Sequence, residues 1–440
     1  MERPMPSTRK RTNAVGWHHA WLLVCLTVAA ACSGEADRIS ANADVSAEAT
    51  ALANPASNES VNAGDRMQAL LEELAGIAPG VSAAVATTNG VIWSGTAGWS
   101  DIENRQAVTP EQLFGIGSIT KTFTSVILQQ LADEGQLDLD APLASLLGDE
   151  VNGIANANTA TVRQLMNHTS GIPSWEDDAT WKREGRGAEL DPGHVWGKTE
   201  TLRYIQGQPA LFAPGAQYSY SNSNFTLLGR VVEVVTGKDL VAVIEARIRR
   251  PVGIDSIFLE GFEPIPANRH ATRYHFNTPD FRRDAGLNAA FVPVDDQLIN
   301  VAATNLSVEW AAGGMVAAAG DLARYGVAVF DGTLLSEQAI ADLATFRPVR
   351  DARPEDTAPV AETGYGVFRR YLGEHRVLGH GGDVLGYSGW LYYEPKSGVA
   401  LAILTNAGTM HAGPGVGAGS VVSGDGRFMD AAIALACPDC

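Results

Sequence analysis

The segments that are typical of β-strands lie at the two ends of this chain, and a long, mainly helical stretch separates them. Near the beginning, residues 80–88 and 91–99 are strand-like, and Asn89-Gly90 between them is a strong hairpin signal. Near the end, residues 389–395 and 398–407 have the same character. This pattern predicts an α/β (α+β) fold, with an antiparallel sheet formed from both chain ends, flanked by helices, and a mainly helical inserted lobe.

Length and charge narrow the range of functions. The chain has 440 residues, of which 45% are hydrophobic, so it can bury a large core. Its formal net charge of -18 argues against a nucleic-acid partner, which requires a basic surface. We expect one folded domain over residues 65–436. It begins with a helix capped by Asp65, and it ends with a Gly-rich loop at 408–424 and a helix at 427–436.

The N-terminal segment is typical of an exported protein. Basic residues precede an apolar run at 20–31, which is short for a membrane span and ends in small residues. Residues 1–31 are therefore predicted to be a signal peptide, either of the lipoprotein type with Cys32 lipidated or plainly cleaved. Residues 32–64 are predicted to be a disordered tether, which would link a lipoprotein in the cell envelope or periplasm to its membrane. The C-x-x-C tail at 437–440 can form a disulfide in an oxidising compartment.

The sequence GIGSITKT at 115–122 has two readings. It differs from a phosphate-binding P-loop by one residue, because Thr120 stands where the tight bend requires glycine. Nucleotide binding is therefore disfavoured. The same residues contain Ser118-x-x-Lys121, with the lysine one helical turn after the serine. The ammonium group and the helix N-terminus would both stabilise negative charge on the serine oxygen.

Two further motifs follow, and each is weak by itself. Tyr220-x-Asn222 combines a tyrosine that can act as a base beside a lysine with an asparagine that can hold a substrate amide. A turn with polar filler is the alternative interpretation. His380-x-Gly382 precedes the C-terminal strand pair, and its glycine allows a substrate backbone to approach closely.

The three motifs, in this order, resemble those of the serine beta-lactamase-related family. This family includes class C beta-lactamases, serine D-Ala-D-Ala carboxypeptidases and their esterase relatives. The segments LMNHTSGIP (165–173), YSYSNSNFTLLGRVVEVVTG (218–237) and GGMVAAAGDLARYG (313–326) match as well, so the resemblance covers about 65–410. It implies a beta-lactamase/transpeptidase-like fold and a serine hydrolase that acts on an ester or amide through a covalent acyl-enzyme.

The resemblance also implies a role for each site residue. Ser118 would be the nucleophile, and Lys121 and Tyr220 would move its proton. The backbone N–H groups of Ser118 and Asp383 would form the oxyanion hole. The residues that would bind the substrate are Asn222, His380, Gly381, Gly382 and Asp383.

Two departures from the family pattern concern the substrate. Members that bind a substrate carboxylate often carry hydroxyl residues where this chain has Gly381 and Asp383. A carboxylate that faced the cleft would repel an anionic substrate. The sequence therefore favours esters, neutral amides or cationic substrates over beta-lactams and D-alanyl peptides. The polar residues 174–198 form either a wall of the cleft or a surface loop, and His168 is expected to be a packing residue.

The motifs also define the expected partners. We expect a small-molecule or peptide substrate, no cofactor and no nucleic acid. A metal is not expected either, because the histidines lack zinc-binding spacing. The alternative to an enzyme is a catalytically idle member of the same fold that binds peptidoglycan, although all three motifs are intact.

Overall fold

The computed structural model describes residues 55–349, 362–424 and 426–437. The predicted signal peptide, Cys32 and most of the predicted tether therefore lie outside the described residues. Among the residues that are described, no helix combines the length and the apolar character needed to cross a membrane.

The strands vary in length, and several of them span only two or three residues. In chain order they are β1 (Gly80–Thr87), β2 (Gly90–Asp101), β3 (Gln106–Ala107), β4 (Phe114–Gly115), β5 (Ile257–Leu259), β6 (Tyr274–Phe276), β7 (Val292–Pro293), β8 (Leu298–Asn300), β9 (Met315–Ala317), β10 (Arg347–Pro348), β11 (Glu362–Thr363), β12 (Phe368–Leu372), β13 (His375–Val384), β14 (Tyr387–Glu394), β15 (Val399–Thr405) and β16 (Ala407–Gly408).

The α-helices concentrate between β4 and β10 and at the two ends. They are α1 (Pro55–Ala75), α2 (Thr120–Asp133), α3 (Leu143–Leu147), α4 (Val162–Met166), α5 (Ala179–Arg186), α6 (Asn222–Thr236), α7 (Leu240–Ile244), α8 (Arg250–Val252), α9 (Pro279–Asp284), α10 (Trp310–Gly313), α11 (Ala319–Phe330), α12 (Glu337–Leu343), α13 (Gly419–Gly424) and α14 (Arg427–Ala436).

An antiparallel sheet joins the two ends of the chain, which confirms the predicted fold class. Its strand order is β10-β11-β12-β13-β14-β15-β1-β2-β3. Strand β1 pairs with β15 on one side, where Val81 lies opposite Thr405, and with β2 on the other. The predicted hairpin is present. Gly90 opens β2 with a φ of +98°, a conformation that glycine adopts without strain.

Helices cover both faces of this sheet. Val81 and Val85 of β1 point toward the side where α1 and α14 pack, whereas Ala84 and Ala86 point toward the core that contains α2 and α11. Helix α2 is buried on nearly all sides. Ser118, which lies just before its first residue, is therefore located between the sheet and the helical lobe. The apolar face predicted for this helix is fully buried and consists of Ile119, Phe123, Val126, Ile127 and Leu131.

Two features differ from the sequence-based predictions. Helix α1 begins at Pro55 rather than Asp65, so it includes part of the predicted tether, and Ala63 is fully buried. A helix whose C-terminal half is packed can extend through residues that would not fold alone, and proline suits its first turn. The predicted Gly-rich loop contains the short helix α13. The final helix is confirmed as α14, and Cys437 after it is disulfide-bonded, whereas Cys440 lies outside the described residues.

Candidate active site

Ser118 lies in a 3₁₀ turn that leads into α2, and two side chains meet at its oxygen. Lys121 Nζ donates a hydrogen bond to Ser118 Oγ at 2.8 Å, and Tyr220 Oη donates another at 2.7 Å. The serine lies in the turn, three residues before the lysine of α2, whereas the tyrosine lies two residues before α6 begins. The structure therefore brings together the three residues that the sequence assigned to catalysis.

The side chain of Lys121 is shielded from solvent. Its side chain is fully buried, and Nζ also donates to the carbonyl oxygen of Ala312 at 2.6 Å. The ammonium group lies 5.0 Å from the centre of the Tyr220 ring and 5.5 Å from that of Phe225. A cation in such an apolar setting acts strongly on an oxygen at hydrogen-bond distance, because little water screens it.

The ring of Tyr220 is positioned by His168. The two rings stack with centroids 4.3 Å apart, and His168 Nδ1 accepts a hydrogen bond from the backbone N–H of Ser221 at 3.1 Å. His168 is buried, as expected of a packing residue. Its stacking on Tyr220 was not predicted, because the sequence gives no sign that the segment before α5 meets the start of α6.

Two glycines allow the backbones of the first and third motifs to touch. A Cβ added at Gly382 would lie 1.8 Å from the carbonyl oxygen of Ile116 and 3.0 Å from the amide nitrogen of Ser118. A Cβ added at Gly117, which has a φ of +51°, would lie 2.5 Å from the amide nitrogen of Asp383. The two N–H groups predicted to form the oxyanion hole are therefore neighbours, and only glycine permits this approach.

His380 lies on β13, a strand that the sequence did not predict as such. Its ring is buried, packs edge-on against Phe368 with centroids 4.8 Å apart, and contacts the Gly381 carbonyl oxygen through Nδ1. Burial lowers the pKa of His380 to about 3, and the charge of Lys121 acts in the same direction. The imidazole is therefore neutral, so it brings no positive charge to a substrate.

The carboxylate of Asp383 accepts hydrogen bonds from groups of the protein itself. It accepts hydrogen bonds from Ser388 Oγ at 3.0 Å, from the Thr409 amide at 2.9 Å and from Thr409 Oγ1 at 2.5 Å. Because side chains alternate along a strand, it lies on the face of β13 opposite the one on which Gly382 meets Ser118. Burial raises the pKa of Asp383 to about 6, although these hydrogen bonds oppose the rise.

Asn222 opens α6 and contacts a carboxylate that the sequence did not single out. Its Nδ2 donates to Glu176 Oε2, and its backbone N–H donates to Ser174 Oγ at 3.0 Å. Glu176 and Asn222 are both buried. Glu176 belongs to the 174–198 segment, so this segment contributes to the site rather than forming a plain surface loop.

A buried ion pair lies beside this carboxylate. Arg186, at the end of α5, pairs with Glu309, and both side chains are at most 3% exposed. Burial raises the pKa of Glu309, the charge of Arg186 opposes this rise, and the charge of Glu176 adds to it. Neither Arg186 nor Glu309 was predicted, because a charged residue in a polar segment is indistinguishable in sequence from a solvated one.

Replacing Arg186 with methionine is expected to lower the free energy of unfolding by about 3–5 kcal/mol, because Glu309 is left as an uncompensated buried charge. Urea unfolding followed by circular dichroism measures this change. The matched control is Arg183→Met on the same helix. Its ion pair with Glu189 is 44% and 49% exposed, so the expected change is under about 1 kcal/mol. Equal stabilities of the two variants would contradict the role of Arg186.

The candidate site lies within a segment that matches known proteins. A protein-family model described as Beta-lactamase matches residues 67–419, which include all three motifs and their contacts. The chain is 27% identical to esterase EstB from Burkholderia gladioli, over 74% of this chain and 86% of the esterase. It is 25% identical to the human mitochondrial serine beta-lactamase-like protein LACTB over 58% of this chain and 54% of that protein, so it spans about half the length of that relative.

A solved structure shows the same architecture. The structure of a D-stereospecific amidohydrolase from Streptomyces sp. superposes with a TM-score of 0.66 and 30% sequence identity. The match covers 78% of this chain and 94% of the amidohydrolase. The similarity thus extends over the sheet and the helical lobe together, not over one motif.

Proposed function

The chain belongs to the beta-lactamase family of serine hydrolases, and we propose that it hydrolyses an ester or amide through a covalent acyl-enzyme on Ser118. The observation that carries this proposal is the convergence on Ser118 Oγ of Lys121 Nζ at 2.8 Å and Tyr220 Oη at 2.7 Å. An esterase and an amidohydrolase among the relatives support both substrate classes.

In the proposed acylation step, Ser118 Oγ forms a bond to the substrate carbonyl carbon. Its proton passes to the Lys121 and Tyr220 pair in the state in which one of these two groups is deprotonated, and the pair then delivers that proton to the departing alcohol or amine as the carbonyl–leaving-group bond breaks. The N–H groups of Ser118 and Asp383 stabilise the charge that develops on the carbonyl oxygen. Water then attacks the acyl-serine, which releases the acid and restores the Ser118 hydroxyl.

Within this proposal, the third motif disfavours substrates with a free carboxylate. The hydroxyl groups next to Asp383, on Ser388 and Thr409, donate to its carboxylate. His380 is neutral, and Gly381 carries no hydroxyl. A substrate carboxylate would therefore lose its water without gaining an equivalent set of donors.

We expect p-nitrophenyl butyrate to be hydrolysed measurably, and nitrocefin and a diacetyl-Lys-D-Ala-D-Ala peptide to be hydrolysed slowly or not at all. The measurement is kcat/KM for each substrate with the same preparation. Rapid hydrolysis of nitrocefin would contradict the substrate preference. No turnover of any of the three would instead favour the catalytically idle, peptidoglycan-binding alternative.

Replacing Asp383 with alanine is expected to raise the nitrocefin-to-butyrate ratio of kcat/KM by roughly tenfold near pH 8, because Ser388 and Thr409 are freed and a negative charge is removed. With a pKa of about 6, Asp383 is charged above that pH and neutral below it. The wild-type ratio should therefore rise as the pH falls from about 8 to about 5. The D383A ratio should stay constant over this range, and parallel pH profiles would refute the role of Asp383.

A further inference from the structure

Trp310 has a backbone conformation that a large aromatic residue rarely adopts. Its φ is +37°, in the range that favours glycine, and it is the first residue of the short helix α10. Such a conformation is costly, and it persists only where the surrounding structure imposes it. Residues strained in this way are concentrated at functional sites, so the contacts of Trp310 and of the turn that follows it are informative.

The indole of Trp310 is fixed within the helical lobe. It is 1% exposed, and its ring lies 6.3 Å from that of Phe262, measured between centroids. It also packs against α6 at Gly229, where an added Cβ would lie 2.9 Å from two of the indole carbon atoms. Glycine therefore lets the ring approach the backbone of α6, and this packing holds residue 310 in place.

The turn that begins at Trp310 carries a main-chain acceptor for Lys121. The carbonyl oxygen of Ala312 accepts a hydrogen bond from Lys121 Nζ at 2.6 Å. The N–H group of Gly314 closes the turn by donating to the carbonyl oxygen of Trp310 at 2.8 Å. A change of φ at residue 310 would rotate the peptide groups that follow it, so it would move the Ala312 carbonyl relative to Lys121 Nζ.

We propose that Trp310 is a positioning residue whose packed indole holds α10 in the conformation that brings the Ala312 carbonyl oxygen to Lys121 Nζ. This contact sets the pH at which the Lys121 and Tyr220 pair can take up the Ser118 proton. The inference rests on the proposed function and adds a residue that controls its proton transfer. Because a carbonyl oxygen favours the ammonium form of a lysine, loss of the contact would let the pair give up a proton at lower pH.

Other titratable groups also act on the charge of Lys121. The ring of Tyr220 lies 5.0 Å from Nζ. Burial lowers the pKa of His380 on β13, and the charge of Lys121 adds to this effect. Burial raises the pKa of Glu309, and the charge of Lys121 is one of the effects that oppose the rise. Substitutions at position 310 leave all of these groups in the chain, so a difference between two such variants reports on the backbone.

The test compares Trp310→Gly with Trp310→Ala in the pH profile of kcat/KM for p-nitrophenyl butyrate. Both variants lose the indole, but only glycine adopts a φ of +37° without strain. We expect the acid limb of the W310A profile to move to lower pH by at least about half a unit, and that of W310G to stay within about 0.2 unit of the wild type. If the indole served stability alone, W310G would be the more impaired variant, because glycine is the poorer helix former.

Phe428→Ala is the matched control for loss of a buried aromatic ring. Phe428 is 1% exposed and lies in α14, on the opposite face of the sheet, so its replacement should lower stability and leave the acid limb in place. If neither variant at position 310 folds, Gly229→Ala gives the readout. Its new Cβ would lie 2.5 Å from the Cβ of Ala311, so α10 must shift, and the acid limb should again move to lower pH.

Two outcomes overturn the positioning role while leaving the serine hydrolase proposal intact. One is a W310A acid limb that coincides with that of the wild type or lies at higher pH. The other is a W310G acid limb that is displaced as far as that of W310A. Absence of ester hydrolysis by the wild type, together with no covalent labelling of Ser118, would instead reject the proposed function on which the inference depends.

Discussion

Replacing Ser118 with alanine is expected to lower kcat for p-nitrophenyl butyrate by at least roughly 10⁴-fold. The variant lacks the only atom to which Lys121 and Tyr220 both donate at less than 3 Å in the described structure. Residual hydrolysis would come from the oxyanion hole and substrate binding alone. Because the side chain is small and half-buried, the melting temperature should change little.

A serine in α2, the helix that follows Ser118, provides the control. Ser125 is fully buried in α2, and its Oγ makes no hydrogen bond to any described residue. Ser125→Ala also removes a serine Oγ, here from α2, and is expected to keep kcat within about twofold of the wild type. If S118A retained comparable activity, the nucleophile would have to be another residue.

Replacing Gly382 with alanine is expected to lower kcat/KM by roughly 10²–10³-fold or more, because the proposed oxyanion hole would lose its shape. The new Cβ would lie 1.8 Å from the carbonyl oxygen of Ile116, so β13 must move away from the turn that carries Ser118. The loss should be seen in the rate of labelling by a fluorophosphonate as well as in turnover, since the carbonyl oxygen of the ester and the phosphoryl oxygen of the fluorophosphonate would both be stabilised by the same two N–H groups.

Gly381→Ala is the matched control for this variant. A Cβ there would meet Trp390 at 3.6 Å, which is an ordinary packing distance, so the expected loss of kcat/KM is under about tenfold. Thermal unfolding of both variants separates a local change at the site from a general loss of stability. Equal activities of G381A and G382A would contradict the close approach of the two backbones.

The sheet was predictable because the turn and strand signals are local in the sequence. The motif residues were predictable because the three motifs occur in a fixed order. The hairpin before Gly90 and the buried face of α2 follow from turn chemistry and helical spacing. By contrast, β13 was missed because its glycines and charged residues obscure the alternation of a strand. The start of α1 was placed too late because packing, rather than intrinsic helix propensity, extends that helix.

The contacts that refine the site could not be read from the sequence. Glu176 and Asn222 are 46 residues apart, and Arg186 and Glu309 are 123 residues apart. Only the folded chain shows that such polar residues are buried and paired. Asp383 is the instructive case. The sequence placed an anion after the third motif, and the structure shows that this anion accepts hydrogen bonds from the hydroxyl groups of Ser388 and Thr409.

The most direct measurement is mass spectrometric mapping of the covalent adduct formed with a fluorophosphonate and, separately, with a fluorescent beta-lactam. We expect stoichiometric fluorophosphonate labelling of the peptide that contains Ser118, loss of that adduct in S118A, and retention in S125A. An adduct on any other residue, or no adduct with either reagent, would contradict a mechanism that passes through an acyl group on Ser118.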